Sequence, residues 1–253
     1  MVHFVGAGPG AVDLITVRGM ELLKKADVII YAGSLVSPEL LSYAKAKCEI
    51  YNSAVMTLEE VLDVMKSAAK EEKEVVRLHT GEPSIYGAVR EQMDLLKQEN
   101  IAFDSTPGVS ACFGAAASLN LEYTLPGISQ TLIITRAEGR TAVPEKEKIR
   151  DLAQHNASMA IYLSAGLLEA LSSELIAGGY REDTPAALVY KATWKEEKAV
   201  FCTVKTLPEA AASEGITKTA VVLVGDAIAQ RSYERSRLYD PTFSTEFRSA
   251  SVE

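Results

Sequence analysis

The sequence has few of the residues that build disulfide frameworks and metal clusters. Among its 253 residues only three are cysteine and three are histidine, and both sets are widely scattered. An odd number of distant cysteines predicts neither a disulfide framework nor a zinc cluster, so we expect small buried thiols. The scattered histidines predict no metal site. These residues are Cys48, Cys112 and Cys202, and His3, His79 and His155.

Long apolar runs and an excess of positive charge are also missing. No stretch approaches the ~20 residues of a membrane-spanning helix, and the chain enters a strand-like segment too early for a secretory signal. The 26 Lys and Arg residues against 34 Asp and Glu residues give a net charge of −8. This balance disfavours nucleic acid, whose binding requires neutralisation of phosphates by Lys and Arg. We expect a cytoplasmic protein with a small-molecule partner and no nucleic-acid or membrane partner.

The first half of the chain alternates apolar, β-rich runs with amphipathic helical runs. Ser37-Pro38 and the capping box Thr57-Leu-Glu-Glu60 mark two helix starts. Strands connected by helices favour right-handed crossovers and a mainly parallel sheet. The predicted strands are residues 2–5, 27–31, 48–51, 75–78 and 101–104, and the predicted helices are 14–25, 39–46, 58–71 and 89–98.

A second series of elements follows a turn at Pro126-Gly127. The polar turn in "WKEEKAV" predicts a hairpin and therefore some antiparallel pairing. The predicted strands are 130–135, 158–163, 186–190, 198–203 and 220–224, and the predicted helices are 145–154, 167–176 and one that a capping box at Thr206 opens.

The predicted fold class is therefore α/β, with two α/β lobes and a ligand cleft between them. The first lobe, residues 1–120, has a mainly parallel sheet, and the second, residues 121–240, has a mixed sheet. Residues 241–253 have no pattern, and we expect a disordered tail.

The loop "VGAGPGA" contains Gly6, Gly8 and Ala11 in the G-x-G-x-x-A spacing of dinucleotide sites. Such a site also needs an acidic residue at the end of the second strand. Here that strand is followed by "AGS", which has no carboxylate, and Pro9 removes one main-chain amide from the loop. Two alternative interpretations of this loop stay open. One is an NAD-binding oxidoreductase, which is the more distant, and the other is a tight turn that binds no ligand.

Two further loops rich in glycine and proline follow strands of the same predicted sheet. They are "TGEPSIYG" at 80–87 and "TPGVSA" at 106–111. The carboxyl ends of parallel strands share one edge, where open α/β sheets bind their ligands. The sequence therefore predicts that three loops meet at one binding site.

These three loops resemble the signature loops of the tetrapyrrole methylase family. "YLSAG" at 162–166 and "TAVVLVGDAI" at 219–228 are similar to the signatures of its second lobe. Together the ordered segments extend roughly over residues 2–230. "EYTLPGISQTLIITRAEGRT" at 122–141 resembles the branch whose members methylate C-11 of precorrin-4 or cobalt-precorrin-4 on the route to cobalamin.

The resemblance implies a homodimeric methyltransferase that uses S-adenosylmethionine and releases S-adenosylhomocysteine. Most of the implied cofactor positions are small or apolar, which suits binding through main-chain atoms. No residue stands out as a general base, so no catalytic residue is assigned. The cofactor positions are Pro9, Thr80, Gly81, Glu82, Ile85, Tyr86, Ser110, Ala111, Leu163, Ala192 and Ala220.

Two positions depart from the family pattern. The middle loop commonly reads G-D-P, whereas here Glu82 lengthens the acidic arm. Glu82 could face the cationic end of the cofactor or cap the following helix. The acid that often follows the first loop is replaced by Ala11, and the nearest carboxylate is Asp13. A catalytic role that this acid has in other members of the family therefore does not carry over to Ala11.

A reduced tetrapyrrole with acetate and propionate arms is a polyanion, so its site needs cations. Arg136, Arg140, Lys191 and Lys195 are the substrate-binding candidates, although each could equally be a solvated surface charge. Other activities in the same family remain open, on another tetrapyrrole position, ribosomal RNA or a translation-factor histidine derivative. A non-catalytic binding module and the presence of cobalt in the ring also stay open.

Overall fold

The computed structural model describes residues 1–229 and 233–251, which form two compact units. The first unit holds Met1–Ala115 together with Lys191–Glu197, and the second holds Ala116–Tyr190 and the described residues from Lys198 onward. The sequence places residues 191–197 in the second lobe. The structure groups them with the first unit because their side chains pack on its first glycine-rich loop.

The first unit contains a five-stranded sheet in which every neighbouring pair is parallel, as the sequence predicts. Its order is β3-β2-β4-β1-β5. The carboxyl ends of β4, β1 and β5 are therefore adjacent, and each is followed by one of the three loops. The strands are β1 (Val2–Gly6), β2 (Val28–Tyr31), β3 (Glu49–Asn52), β4 (Val75–His79) and β5 (Phe103–Thr106).

Helical segments cover both faces of this sheet. Helix α1 (Val17–Lys25) and the 3-10 helix Pro38–Tyr43 pack on the face that carries Val5, Ile29 and Leu78. Helices α2 (Leu58–Lys70) and α3 (Val89–Gln98) pack on the opposite face. The chain thus leaves β1 toward one face and β4 toward the other, which creates a topological switch point between adjacent strands.

The second unit contains a mixed sheet, as the sequence predicts, with the order β6-β7-β10-β8-β9. Strands β6 and β7 are parallel, and the remaining neighbours are antiparallel. Helix α4 (Ala111–Leu119) leads from the third loop into this unit. The other elements are β6 (Leu132–Arg136), α5 (Ile149–Ala153), β7 (Ser158–Tyr162), α6 (Leu168–Ala177), β8 (Pro185–Tyr190), β9 (Lys198–Thr203), α7 (Leu207–Glu214) and β10 (Ala220–Val224).

Three local predictions were wrong. The predicted helix 39–46 is the 3-10 helix Pro38–Tyr43, and only Ile149–Ala153 of the predicted helix 145–154 is α-helical. Thr206 does not cap α7, because its hydroxyl accepts a hydrogen bond from the Thr203 amide at 3.0 Å. This bond closes the turn after β9 instead.

The last described residues, from 233 to 251, form no strand of either sheet. Arg248 donates hydrogen bonds to the carbonyls of Leu238, Asp240 and Phe243. Disorder of the tail at 241–253 stays a prediction, and its last two residues lie outside the described part. Within the described ranges, no helix is long and apolar enough to cross a bilayer.

Helix α2 begins with the predicted capping box. The Thr57 hydroxyl accepts from the Glu60 amide at 3.3 Å, and the Glu60 carboxylate accepts from the Thr57 amide at 2.7 Å. Thr57→Ala should lower the free energy of unfolding by about 1 kcal/mol because one amide loses its acceptor. Urea denaturation measures this loss, with Thr57→Ser, which keeps the hydroxyl, as the control. Equal stability of the Ala and Ser variants would contradict the prediction.

Candidate ligand-binding site

The first two glycine-rich loops are joined by main-chain hydrogen bonds. The Gly81 amide donates to the Gly8 carbonyl at 3.0 Å, and the Gly8 amide donates to the Gly81 carbonyl at 3.3 Å. The Ala7 amide donates to the His79 carbonyl at 2.8 Å and extends this pairing. The loops after β1 and β4 are therefore held together at the switch point, as the sequence predicts.

The third loop approaches so closely that it leaves no room for side chains. A Cβ atom on Gly108 would lie 2.1 Å from the Gly81 carbonyl oxygen, and one on Gly6 would lie 2.6 Å from the Gly108 Cα. Both distances are far below van der Waals contact. Three main chains therefore meet at one sheet edge because Gly6 and Gly108 lack a side chain, while Gly81 has a φ of +57°, a conformation that favours glycine.

Glu82 links the second loop to the third. One carboxylate oxygen accepts from the Gly108 amide at 2.8 Å, and the other accepts from the Ser84 amide at 2.9 Å. Partial burial raises the pKa of Glu82, but these hydrogen bonds outweigh burial and hold the pKa below its ordinary value. The carboxylate thus bridges two loops, an arrangement that neither sequence interpretation of Glu82 included.

The other cofactor positions of the first unit surround this junction. Tyr86 is 46% exposed and has a φ of +55°, which is unusual for a residue with a side chain.

The buried Ser110 accepts hydrogen bonds from the Phe113 and Gly114 amides through its carbonyl, and so starts α4. Pro9 and Ala192 are buried, and Thr80 and Ile85 are partly exposed. Ala111 is the first residue of α4.

Leu163 and Ala220 belong to the second unit. Leu163 directly follows β7, is 67% exposed and has a φ of +54°. Solvent exposure and a left-handed backbone are both unfavourable for leucine, and such strain is concentrated at functional positions. Ala220 begins β10 and pairs with Tyr190 of β8. Their contact with a cofactor stays a prediction.

Three of the four predicted substrate cations already have partners within the chain. The Arg136 guanidinium donates to the carbonyls of Thr141 at 2.9 Å and Ala142 at 2.7 Å, and so holds its own loop. Lys195 pairs with Glu39, and the Lys191 Nζ lies 3.7 Å from Glu196.

Arg140 is exposed and pairs with none of the described residues. It is therefore the candidate that is available to an external anion.

His79 and Trp194 both contact the first loop, and sequence analysis did not identify either as a site residue. His79 ends β4 and stacks on Phe4, and no described residue offers a hydrogen bond to its buried Nε2. Burial and the charge of Arg77 lower the pKa of His79 to about 3, so its ring is neutral near pH 7. The Trp194 indole donates to the Pro9 carbonyl at 3.0 Å. The one sequence feature that could have identified Trp194 is that it is the single tryptophan of the chain.

An open α/β sheet with glycine-rich loops at the carboxyl ends of three adjacent strands is typical of proteins that bind small molecules. Comparison with known proteins identifies the family. The model of the Tetrapyrrole (Corrin/Porphyrin) Methylases matches residues 1–208. The chain belongs to this family, which confirms the sequence-based interpretation. Membership of the tetrapyrrole methylase family gives no support to the alternative of an NAD-binding oxidoreductase.

Individual relatives are similar over nearly the whole chain. A cobalt-precorrin-4 C(11)-methyltransferase of Methanocaldococcus jannaschii is 54% identical over 98% of this chain and 95% of its own length. The X-ray structure of a cobalt precorrin-4 methyltransferase, a cobalamin biosynthetic enzyme, has a TM-score of 0.88 and 49% identity, over 90% of this chain and 95% of that one. The predicted branch of the family is thereby confirmed.

A more distant solved structure shares the fold. It is a uroporphyrin-III C-methyl transferase of Thermus thermophilus complexed with S-adenyl homocysteine. Its TM-score is 0.76 at 22% identity, over 92% of this chain and 95% of that one. At this identity the likeness extends to the architecture alone.

The bridge that Glu82 forms should depend on pH. Glu82→Gln should lower the free energy of unfolding at pH 7 by about 1–3 kcal/mol, because one loop amide loses a charged acceptor. Since folding lowers the pKa of Glu82, its contribution is present above the unfolded value of 4.5 and is lost as the pH falls through the folded value.

Urea denaturation between pH 7 and pH 4 measures this dependence. The difference between the wild type and Glu82→Gln should shrink as the pH falls below about 4.5. Glu59→Gln, at an exposed position of α2, is the matched control. A difference that stays constant over the whole range would show that the bridge does not depend on the carboxylate charge.

Proposed function

We propose that this protein transfers the methyl group of S-adenosylmethionine to C-11 of cobalt-precorrin-4 during the biosynthesis of the corrin ring. The observation that carries this proposal is the 54% identity, over almost the full length, to a relative with that name. The three-loop junction supports it, because the loops that resemble the family signatures converge at a single sheet edge.

The residues at the junction fit a ligand that is bound mainly through the main chain. S-adenosylmethionine presents hydroxyl, carboxylate, ammonium and adenine groups, which main-chain amides and carbonyls can all satisfy. Pro9, Gly81, Ser110 and Ala192 would hold it chiefly through their backbone. Glu82 would act by holding the loops together, since both of its oxygens are already used within the protein.

When bound, this donor supplies an electrophilic methyl group on a sulfonium. The task of the chain is to hold the ring carbon and the methyl group in line, since orientation of the reactants can lower the activation barrier by up to roughly 7–11 kcal/mol. Exclusion of water also removes a competing nucleophile. No residue is assigned as the base that takes the ring proton.

The test is turnover with labelled S-adenosylmethionine and precorrin-4, supplied with and without cobalt. We expect one methyl group at C-11, located by mass spectrometry and NMR, with faster transfer to the cobalt form. A methyl group at another ring position would replace the proposed substrate with another tetrapyrrole. Binding of S-adenosylhomocysteine without any turnover would indicate a non-catalytic module. A homodimeric state and a cytoplasmic location stay predictions.

Arg140 is the cation that should contact the substrate carboxylates. Arg140→Ala should raise the KM for the tetrapyrrole about threefold to tenfold, the size of one exposed charge-assisted contact, and leave the Kd of S-adenosylhomocysteine unchanged. Steady-state kinetics and calorimetry measure the two values. Arg150→Ala, which removes another exposed arginine of the same unit, is the control. An equal loss of substrate and cofactor binding would refute the assignment.

A further inference from the structure

The turn between β8 and β9, Lys191–Glu197, connects two strands of the second sheet but belongs to the first unit. We call it the 191–197 turn. Its tip uses two neighbouring residues to bind two polar groups of the first loop. The Trp194 indole donates to the Pro9 carbonyl at 3.0 Å, and the Thr193 hydroxyl accepts from the Ala11 amide at 3.0 Å.

The indole ring also lies directly against the loop. A Cβ atom on Gly10 would lie 2.0 Å from the Cδ1 atom of Trp194, so only glycine leaves space for this ring. On its other side, the loop packs on α4, where a Cβ atom on Gly114 would lie 2.6 Å from the Pro9 Cβ. The segment 9–11 is thus enclosed between the ring of Trp194 and a helix.

The 191–197 turn adopts an unfavourable backbone in order to make these contacts. Lys191 and Thr193 have φ values of +46° and +68°, and a left-handed conformation is a clear outlier for the β-branched threonine. Such strain persists only where surrounding contacts impose it, and it is concentrated at functional sites. The Glu197 carboxylate accepts from the Thr193 amide, and Lys195 pairs with Glu39.

From these contacts we propose that Trp194 is a positioning residue, which fixes segment 9–11 in the conformation that binds the methyl donor. The proposal rests on the proposed function, in which Pro9 lies at the donor site. Trp194 acts through the loop, because its hydrogen bond and its ring contact both go to loop atoms. Because the indole binds the Pro9 carbonyl directly, its surroundings should change when the donor binds to this loop.

The single tryptophan makes this proposal directly measurable. Addition of S-adenosylhomocysteine should change the tryptophan emission saturably, with the same Kd that calorimetry gives. Trp194→Phe, which keeps an aromatic ring but loses the donor, should raise that Kd roughly threefold to tenfold, the effect of one hydrogen bond. Trp194→Ala should raise it further. Phe201→Ala, at an exposed aromatic of the adjoining strand β9, should leave the Kd unchanged.

A double-mutant cycle separates positioning from general stability. Gly10→Ala in the wild-type background should raise the Kd more than roughly tenfold, because its Cβ collides with the indole ring. The same change in the Trp194→Ala background should cost less than about threefold, since the ring is gone. A ring that only stabilises the fold would instead leave the Kd of the folded Trp194→Ala variant at the wild-type value and lower only its thermal stability.

The outcomes distinguish this inference from the proposed function on which it rests. If the wild type binds S-adenosylhomocysteine, while its emission does not change and Trp194→Phe and Trp194→Ala keep the wild-type Kd, the positioning role is overturned and the proposed function stands. If the wild type does not bind S-adenosylhomocysteine, both are overturned. Thermal unfolding of each variant shows whether the variant is folded. If Trp194→Ala does not fold, Trp194→Phe, which retains an aromatic ring, still tests the proposal.

Discussion

Three main chains can meet at one sheet edge only where the contact points have no side chains. Gly6 and Gly108 meet this condition, since a Cβ on Gly108 would lie 2.1 Å from the Gly81 carbonyl oxygen and one on Gly6 would lie 2.6 Å from the Gly108 Cα. Around this contact the hydrogen bonds of Gly8 and the bridge of Glu82 fix the loops relative to each other. The site depends on this close approach, because the loops then present backbone amides and carbonyls instead of side chains.

The parallel sheet explains why this junction lies where it does. Strand β1 sends the chain to one face and the neighbouring β4 sends it to the other, so the two loops share this edge before their helices pack on opposite faces. The net charge of −8 is compatible with an anionic substrate because only local charge matters at a site. Within the described residues, Arg140 is the one predicted cation without an internal partner, whereas Arg136 binds its own loop.

Most of the fold could be predicted because it depends on local patterns. Alternating strands and helices gave both sheets, and the capping box of Thr57 marked the start of α2. The ordered glycine loops also identified the family. The remaining features depend on contacts between distant residues. Trp194 meets Pro9 across 185 positions of sequence, and Glu82 meets Gly108 across 26. No periodicity or spacing encodes such pairs, so these roles became visible only in the structure.

Amide hydrogen exchange, measured with and without S-adenosylhomocysteine, tests the central claim most directly. The account predicts slower exchange on ligand addition in all three loops, in peptides that cover residues 6–12, 79–88 and 106–114. Protection should appear together in the three peptides at one ligand concentration, because they form a single junction. Protection confined to one loop, or found only in other segments of the chain, would contradict the account.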